Sequence, residues 1–148
     1  MDNVIYKQVT SSTELSGAFA VRREVFICEQ NIAEDEEYDG LDNTCIQFIA
    51  RNNNGVVGTA RVRFISPDCV KIERMAVLKD YRRQGIGTGI LVCIEEEFER
   101  GPVTEAILHA QMAAIPFYKA CGFLEVGATL FEADIEHIKM QKRLVSSV

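Results

Sequence analysis

The chain lacks most of the features that would place it in a membrane, a secretory route or a multidomain assembly. Its 148 residues include only three prolines, with no low-complexity tract and no repeat at solenoid spacing. No linker is visible, and a single domain over 1–148 is expected. No apolar run reaches the length of a membrane span. The start, with Asp2 and a lone Lys7, has neither the charged nor the apolar region of a signal peptide. The five cysteines, Cys28, Cys45, Cys69, Cys93 and Cys121, are odd in number, scattered and without a C-x-x-C pair. They read as reduced core residues rather than disulfides, zinc ligands or a redox centre. The two histidines, His109 and His137, have no second ligand at metal spacing, so no metal is expected. Basic residues are also few, 16 against 22 acidic, for a net charge of −6. That balance argues against nucleic-acid binding, which relies on neutralising phosphates, and favours cationic partners. A soluble, cytoplasmic chain with no membrane partner is predicted, and a homodimer stays open. What is present, 47% hydrophobic residues, suffices for an ordinary core.

The apolar pattern predicts alternating sheet and helix. Val4 to Val9 reads as a strand, followed by a helix capped near Thr13, with Ser11 and Ser12 beside it, that runs to about Glu29. Its apolar positions are Leu15, Ala18, Phe19, Val21, Val25 and Phe26. Cys45 to Arg51 and Val56 to Phe64 are β-rich runs joined by Asn52-Asn53-Asn54-Gly55, a hairpin signal. Val70 to Val77 is the next strand. Gly85 to about Arg100 is a helix with Ile86, Ile90, Leu91, Ile94 and Phe98 on its apolar side, ended by Gly101-Pro102. Thr104 to Ala110, a short helix over Ala113 to Cys121, and strands Leu124 to Ala133 and His137 to Leu144 complete the chain. This order describes an α+β domain, with a mixed, mostly antiparallel sheet flanked by helices.

The run Arg82-Arg83-Gln84-Gly85-Ile86-Gly87 joins a strand to a helix and is suited to an anion. A helix N-terminus leaves its first N–H groups without partners and carries partial positive charge. Gly85 and Gly87 let the main chain approach phosphate oxygens closely and tolerate a tight turn. It is neither a P-loop, since Gly85 through Ile90 offers no lysine, nor a dinucleotide fingerprint, since position 90 is Ile. By itself the run is equally a Gly-containing turn with solvated arginines.

Its surroundings narrow the choice. KIERMAVLKDYRRQGIGTGIL, Lys71 to Leu91, resembles motif A of the GCN5-related N-acetyltransferases, the GNAT superfamily, whose Arg/Gln-x-x-Gly-x-Gly/Ala pattern is met by Arg82, Gly85 and Gly87. AILHAQMAAIPFYKACGF, Ala106 to Phe123, resembles motif B, with Ala114, Phe117, Tyr118, Gly122 and Phe123 in place and Gln111 where Asn is common. The ends, Arg22-Arg23-x-x-Phe26-x-x-Glu29-Gln30 and Phe131-Glu132-x-x-Ile135-x-His137-x-x-Met140, resemble the ElaA/YjcF-type members. This resemblance implies a sheet whose central strands splay to admit acetyl-CoA, and a transfer of its acetyl group to a primary amine by direct attack in a ternary complex. It assigns the pantetheine arm to the backbone of Met75, Ala76 and Val77, and the pyrophosphate to Arg82, Arg83, Gln84, Gly85, Ile86, Gly87 and Thr88. Gln111 and Phe117 complete the cofactor contacts.

The chemistry then needs a proton acceptor, because an amine with pKa about 10.4 sits roughly three units from neutral, a cost near 4 kcal/mol if unaided. Glu73 is the first candidate, since strand alternation puts 73, 75 and 77 on one face. It is also placed to pair with Arg74, Arg61 or Arg63, and the family often has its base where this chain has Lys71. Tyr118, which the resemblance puts near the acetyl-CoA sulfur, is the candidate general acid, or else a helix aromatic packed on the sheet. His137 is a substrate contact, a base or a structural histidine, and His109 is read as structural. Glu34 to Asp42 partly imitates a calcium loop, but the twelfth position is Ile46, and calcium is rejected. Most of its carboxylates are expected to be solvated, one or two joining Glu29 and Gln30 in holding a small cationic amine. Cys121, at a helix end, is not expected to act as an acyl carrier. A CoA-binding regulatory module without turnover remains the reading from another class. Acyl-homoserine-lactone synthesis, suggested by the Arg-x-x-Val-Phe start, is disfavoured by the two acetyl-CoA motifs.

Overall fold

The computed structural model describes residues 3–144. The first strand, β1 (Ile5–Gln8), leads into α1 (Ser12–Arg22), whose cap is Ser11 rather than Thr13: the Ser11 hydroxyl accepts the Glu14 N–H at 3.1 Å. The helix continues over Arg23–Glu29 with wider, π-type turns, Gln30 N donating to Val25 O at 3.1 Å. A short α2 (Glu34–Glu37) precedes β2 (Ile46–Asn52), β3 (Gly55–Ser66) and β4 (Cys69–Val77). Then come α3 (Ile86–Phe98), β5 (Glu105–Gln111), α4 (Ile115–Ala120), β6 (Leu124–Glu132) and β7 (Ile135–Arg143).

Among the described residues, seven strands form one sheet in the order β1-β2-β3-β4-β5-β7-β6. All neighbours are antiparallel except β4 and β5, as the α+β reading anticipates. One sheet face is covered by α3, where Ile86, Ile90, Leu91, Ile94 and Phe98 bury against Ala60, Val62, Val70, Ile72, Ala106 and Leu108. The other carries the first helix, where Val21, Val25 and Phe26 pack with Ala76. The 3.6-residue and two-residue apolar periods of the sequence are thus satisfied on both layers.

The parallel pair is short, and its shortness makes the site. β4 matches β5 only from Cys69↔Glu105 to Ile72↔Leu108; beyond that β4 runs on to Val77 and β5 to Gln111 without pairing. The divergence starts at a bulge. β3 pairs Arg61 with Glu73 but Thr59 with Ala76, so β4 carries one extra residue, and Arg74 takes a positive φ of 56°. The bulge corrects the expectation that 73, 75 and 77 share a face. Glu73 faces Arg61 and Arg63, whereas Met75 and Val77 turn toward the core beneath α3, and Ala76 faces the first helix.

The acidic segment divides. Glu34, Asp35 and Glu36 are exposed, as expected, whereas Arg22 and Arg61, both 0% exposed, bind Glu37, Asp39 and Asp42. Arg22 holds Glu37 and, at 2.6 Å, Asp42; Arg61 holds Asp39 and, at 3.1 Å, Asp42; Arg74 reaches Glu37 at 2.9 Å. Hydrogen bonds from Arg61 keep the Asp39 carboxyl well below the usual carboxylate range, against the opposing effect of burial. The part from Glu37 to Asp42 is therefore a clamped wall beside the gap between β4 and β5.

Candidate active site

Where β4 and β5 part, a cavity of about 820 Å³ opens. Its walls are the end of β4, the start of α3, β5 with α4, the π-helical end of the first helix, and the tip of the β6–β7 hairpin. Leu78 N donates to Val57 O at 2.9 Å, toward β3. Backbone alternation then aims the polar groups of Met75 and Val77 at the gap, where no strand pairs with them. The Val77 carbonyl receives Arg82 Nε at 2.8 Å.

At the adjacent end, α3 begins without a side-chain cap, so the N–H groups of its first turn, Ile86, Gly87 and Thr88, lack helical partners. Gly85 opens that turn with φ 80° and ψ 8°, and a Cβ there would meet nothing within 4 Å. The requirement for glycine is conformational, not spatial. Gly87 is different: a Cβ would come 2.9 Å from Phe117 Cζ, so its missing side chain makes room for the motif B aromatic. Arg83, Gly85, Ile86, Gly87 and Thr88 all line the cavity, as do Met75, Ala76, Val77, Arg82, Gln111 and Phe117. Gln84 does not; its amide turns back to the Asp80 carbonyl at 3.3 Å.

Arg83 reaches the cavity unpaired by any carboxylate among the described residues, whereas Arg82 is already engaged. Arg82 makes a bidentate pair with Glu29, Nη2 to Oε1 at 2.7 Å and Nη1 to Oε2 at 3.0 Å, tying the end of the first helix to the turn before α3. Glu29 is thereby placed on the cofactor side of the cleft, and it is absent from the cavity lining, contrary to its expected contact with the acceptor. Gln30, one residue on, does reach the cavity. It spans the cleft to Gln111, whose Nε2 donates to Gln30 Oε1 at 2.9 Å.

Tyr118 lines the cavity and is 8% exposed. Its ring is set edge-on to Phe117 and Phe123, with centroids 5.0 and 5.9 Å away, and burial pushes its phenol well above the ordinary tyrosine range. It is therefore a neutral donor at physiological pH. Glu73 also lines the cavity but is surrounded by cations: Arg63 Nε at 3.1 Å, Arg61 Nη2 at 3.3 Å and Lys71 Nζ at 3.4 Å. Burial raises this carboxyl, yet the Arg63 hydrogen bond and the neighbouring charges outweigh it, and the net direction is down. A carboxylate held this way is a weak proton acceptor.

The chain matches the acetyltransferase (GNAT) domain family over residues 9–144. The chain belongs to the GNAT acetyltransferase family. It is 37% identical over 130 residues to the uncharacterized N-acetyltransferase YjcF of Bacillus subtilis, covering 87% of this chain and 92% of that one. Among solved structures it resembles an acyl-CoA N-acyltransferase from Pseudomonas aeruginosa, with a TM-score of 0.80, 26% identity, and 95% and 99% of the two chains covered. It also resembles Escherichia coli ElaA, with a TM-score of 0.81, 25% identity, and 96% and 99% covered. Within GNAT it falls with the ElaA/YjcF-like members and is an acyltransferase. Among the described residues, no helix is long and apolar enough to cross a membrane.

Lys71, Arg74, Tyr81, His109 and Glu132 are among the other residues that line this GNAT cleft. For Glu132 the sequence does carry a signal. It lies in the same terminal pattern as His137, and a two-residue turn at Ala133-Asp134 returns the chain so that both reach the cavity.

Proposed function

We propose that this acyltransferase moves the acetyl group of acetyl-CoA to a primary amine of a small cationic acceptor, by direct attack in a ternary complex, within a cytoplasmic single-domain protein. The observation that carries the proposal is the meeting, in one cavity, of an unpaired strand edge, an uncapped helix start and a buried neutral phenol. The edge at Met75, Ala76 and Val77 suits the amide-bearing pantetheine arm as an added strand would. The α3 start, with Arg83 and Thr88 beside Gly85, Ile86 and Gly87, suits the pyrophosphate. Tyr118 suits protonation of the departing thiolate. Cys121 does not line the cavity, and its Sγ lies 3.9 Å from Thr88 Oγ1, which supports direct transfer over an acyl-cysteine route.

Calorimetry with acetyl-CoA tests the cofactor half. Gly85→Val is expected to weaken binding about tenfold or more, because a β-branched residue is strained at that φ and the N–H groups must shift to relieve it. Equal affinity in the two proteins would remove the cradle, and no binding by either would remove the reading. Glu29→Gln is expected to act the other way. It frees Arg82 from a competing carboxylate and should tighten acetyl-CoA binding a few-fold; weaker binding would instead make the Glu29–Arg82 pair a support of the turn.

A further inference from the structure

The tip of the β6–β7 hairpin holds a group of side chains left unassigned by the reading above. Ala133 and Asp134, the two central residues of the turn, both take positive φ, 51° and 60°, the primed geometry that keeps a two-residue hairpin tight. Glu132 is thereby set opposite Ile135, and Glu132 and His137 extend to the same cavity wall with His109 of β5. His137 is only 8% exposed, and its Nδ1 lies 2.7 Å from the Ile135 carbonyl. A carbonyl can only accept, so Nδ1 keeps its hydrogen in either protonation state, and the neutral ring carries its lone pair on Nε2.

That Nε2 is 3.9 Å from Glu132 Oε1, too far for a direct hydrogen bond. The other oxygen of Glu132, Oε2, is 2.9 Å from His109 Nδ1. Of the three other cavity carboxylates, Glu73 and Asp39 are matched by arginines, and Glu73 also by Lys71, whereas Glu36, exposed on α2, lacks the imidazole neighbours that Glu132 has. Glu132 has the imidazoles of His109 and His137 as its neighbours, and among the described residues no lysine or arginine side chain pairs with it. It is thus a cleft carboxylate whose charge no permanent cation in the described residues matches.

Resting on the acetyl-transfer reading, we propose that the acceptor's ammonium group binds between Glu132 Oε1 and His137 Nε2, and that His137 takes its proton. One nitrogen at hydrogen-bond distance, about 2.8 Å, from each atom spans two acceptors this far apart. The electron pair of the broken N–H bond stays on nitrogen and forms the new N–C bond to the acetyl carbonyl carbon. The C–S pair leaves with sulfur, and a second proton lost from nitrogen is delivered to that sulfur through Tyr118. The products are the acetamide, the free thiol of CoA and one proton on His137. Glu132 and His109, with side chains 43% and 22% exposed, give that proton a way to solvent. Gln111 lies next to His137 in the β5–β7 register and is held by Gln30 at 2.9 Å.

The test uses the full-length protein, labelled with ¹⁵N and saturated with coenzyme A, and follows the histidine ring nitrogens by NMR. Putrescine, spermidine, glucosamine and lysine amide are titrated in, with 1,4-butanediol as the uncharged control. At least one amine is expected to move the His137 Nε2 resonance while Nδ1 stays protonated, and butanediol to move neither. Glu132→Gln, an isosteric change, is expected to weaken that amine's binding about ten- to a hundredfold with coenzyme A affinity unchanged. His137→Gln should keep amine binding within a few-fold and lower kcat about a hundredfold or more. If coenzyme A binds but no amine moves His137, or Glu132→Gln leaves amine affinity intact, the acceptor site is overturned and the cofactor site stands. Failure to bind coenzyme A would instead overturn the acetyl-transfer reading itself.

Discussion

Tyr118→Phe is expected to lower kcat by about a hundredfold or more, the usual worth of a positioned general acid, while acetyl-CoA affinity stays within a few-fold. The two effects separate because the ring and the hydroxyl do different work. The ring packs edge-on against Phe117 and Phe123, contacts that phenylalanine keeps, so the fold and the cleft wall should be unchanged. Only the hydroxyl is lost. Since burial holds the phenol protonated far above its ordinary range, the hydroxyl acts as a donor, the state an acid for the departing thiolate requires. Steady-state kinetics with calorimetry reads both numbers. An unchanged kcat would leave Tyr118 as a packing residue and pass protonation of the thiolate to water.

Arg22→Ala should be the most damaging change away from the cleft, lowering stability by about 3–5 kcal/mol, the typical result of removing one partner from a buried ion pair. Arg22 is 0% exposed, flanked by the rings of Phe19 and Tyr38, and bound to both Glu37 and Asp42. Alanine would leave Glu37, itself 2% exposed, relying on Arg74 alone. It would also open a cavity beneath the acidic wall. For a domain with a typical stability of about 5–15 kcal/mol, that is a large fraction. Urea unfolding measures it, and a loss below about 1 kcal/mol would show that water readily replaces the guanidinium. Because Glu37 and Asp39 also anchor Arg74 at the β4 bulge, acetyl-CoA affinity is expected to fall together with stability.

What the sequence made legible is what local physics governs. The α3 start and the strand before it could be read because an uncapped helix opening on Gly85 needs glycine, and because Ile86, Ile90, Leu91, Ile94 and Phe98 repeat at helical spacing. Motif B was likewise visible through Phe117, Tyr118 and the helix end at Gly122. The misread features depend on partners distant in sequence or on backbone conformations that the residue type does not announce. An arginine in the left-handed region, Arg74, gives no sign of a bulge, so Glu73 was placed on the wrong face relative to Met75. The pairing of Glu37, Asp39 and Asp42 is not legible locally because Arg22 and Arg61 lie well outside the acidic run. Glu29 looked like an acceptor contact because its partner, Arg82, is 53 residues away. Glu132 shares a terminal pattern with His137, but the residue types do not announce that a turn at Ala133-Asp134 brings both to the cleft.

The central claim, acetyl transfer from acetyl-CoA to a small amine, is tested most directly by incubating the protein with [1-¹³C]acetyl-CoA and a panel of polyamines, amino sugars, amino acids and peptides. The carbonyl carbon is followed by NMR. Movement of the label from thioester to amide, in step with release of CoA thiol and only when an amine is present, is the predicted result. Binding of acetyl-CoA with the label left on the thioester across the whole panel would contradict it.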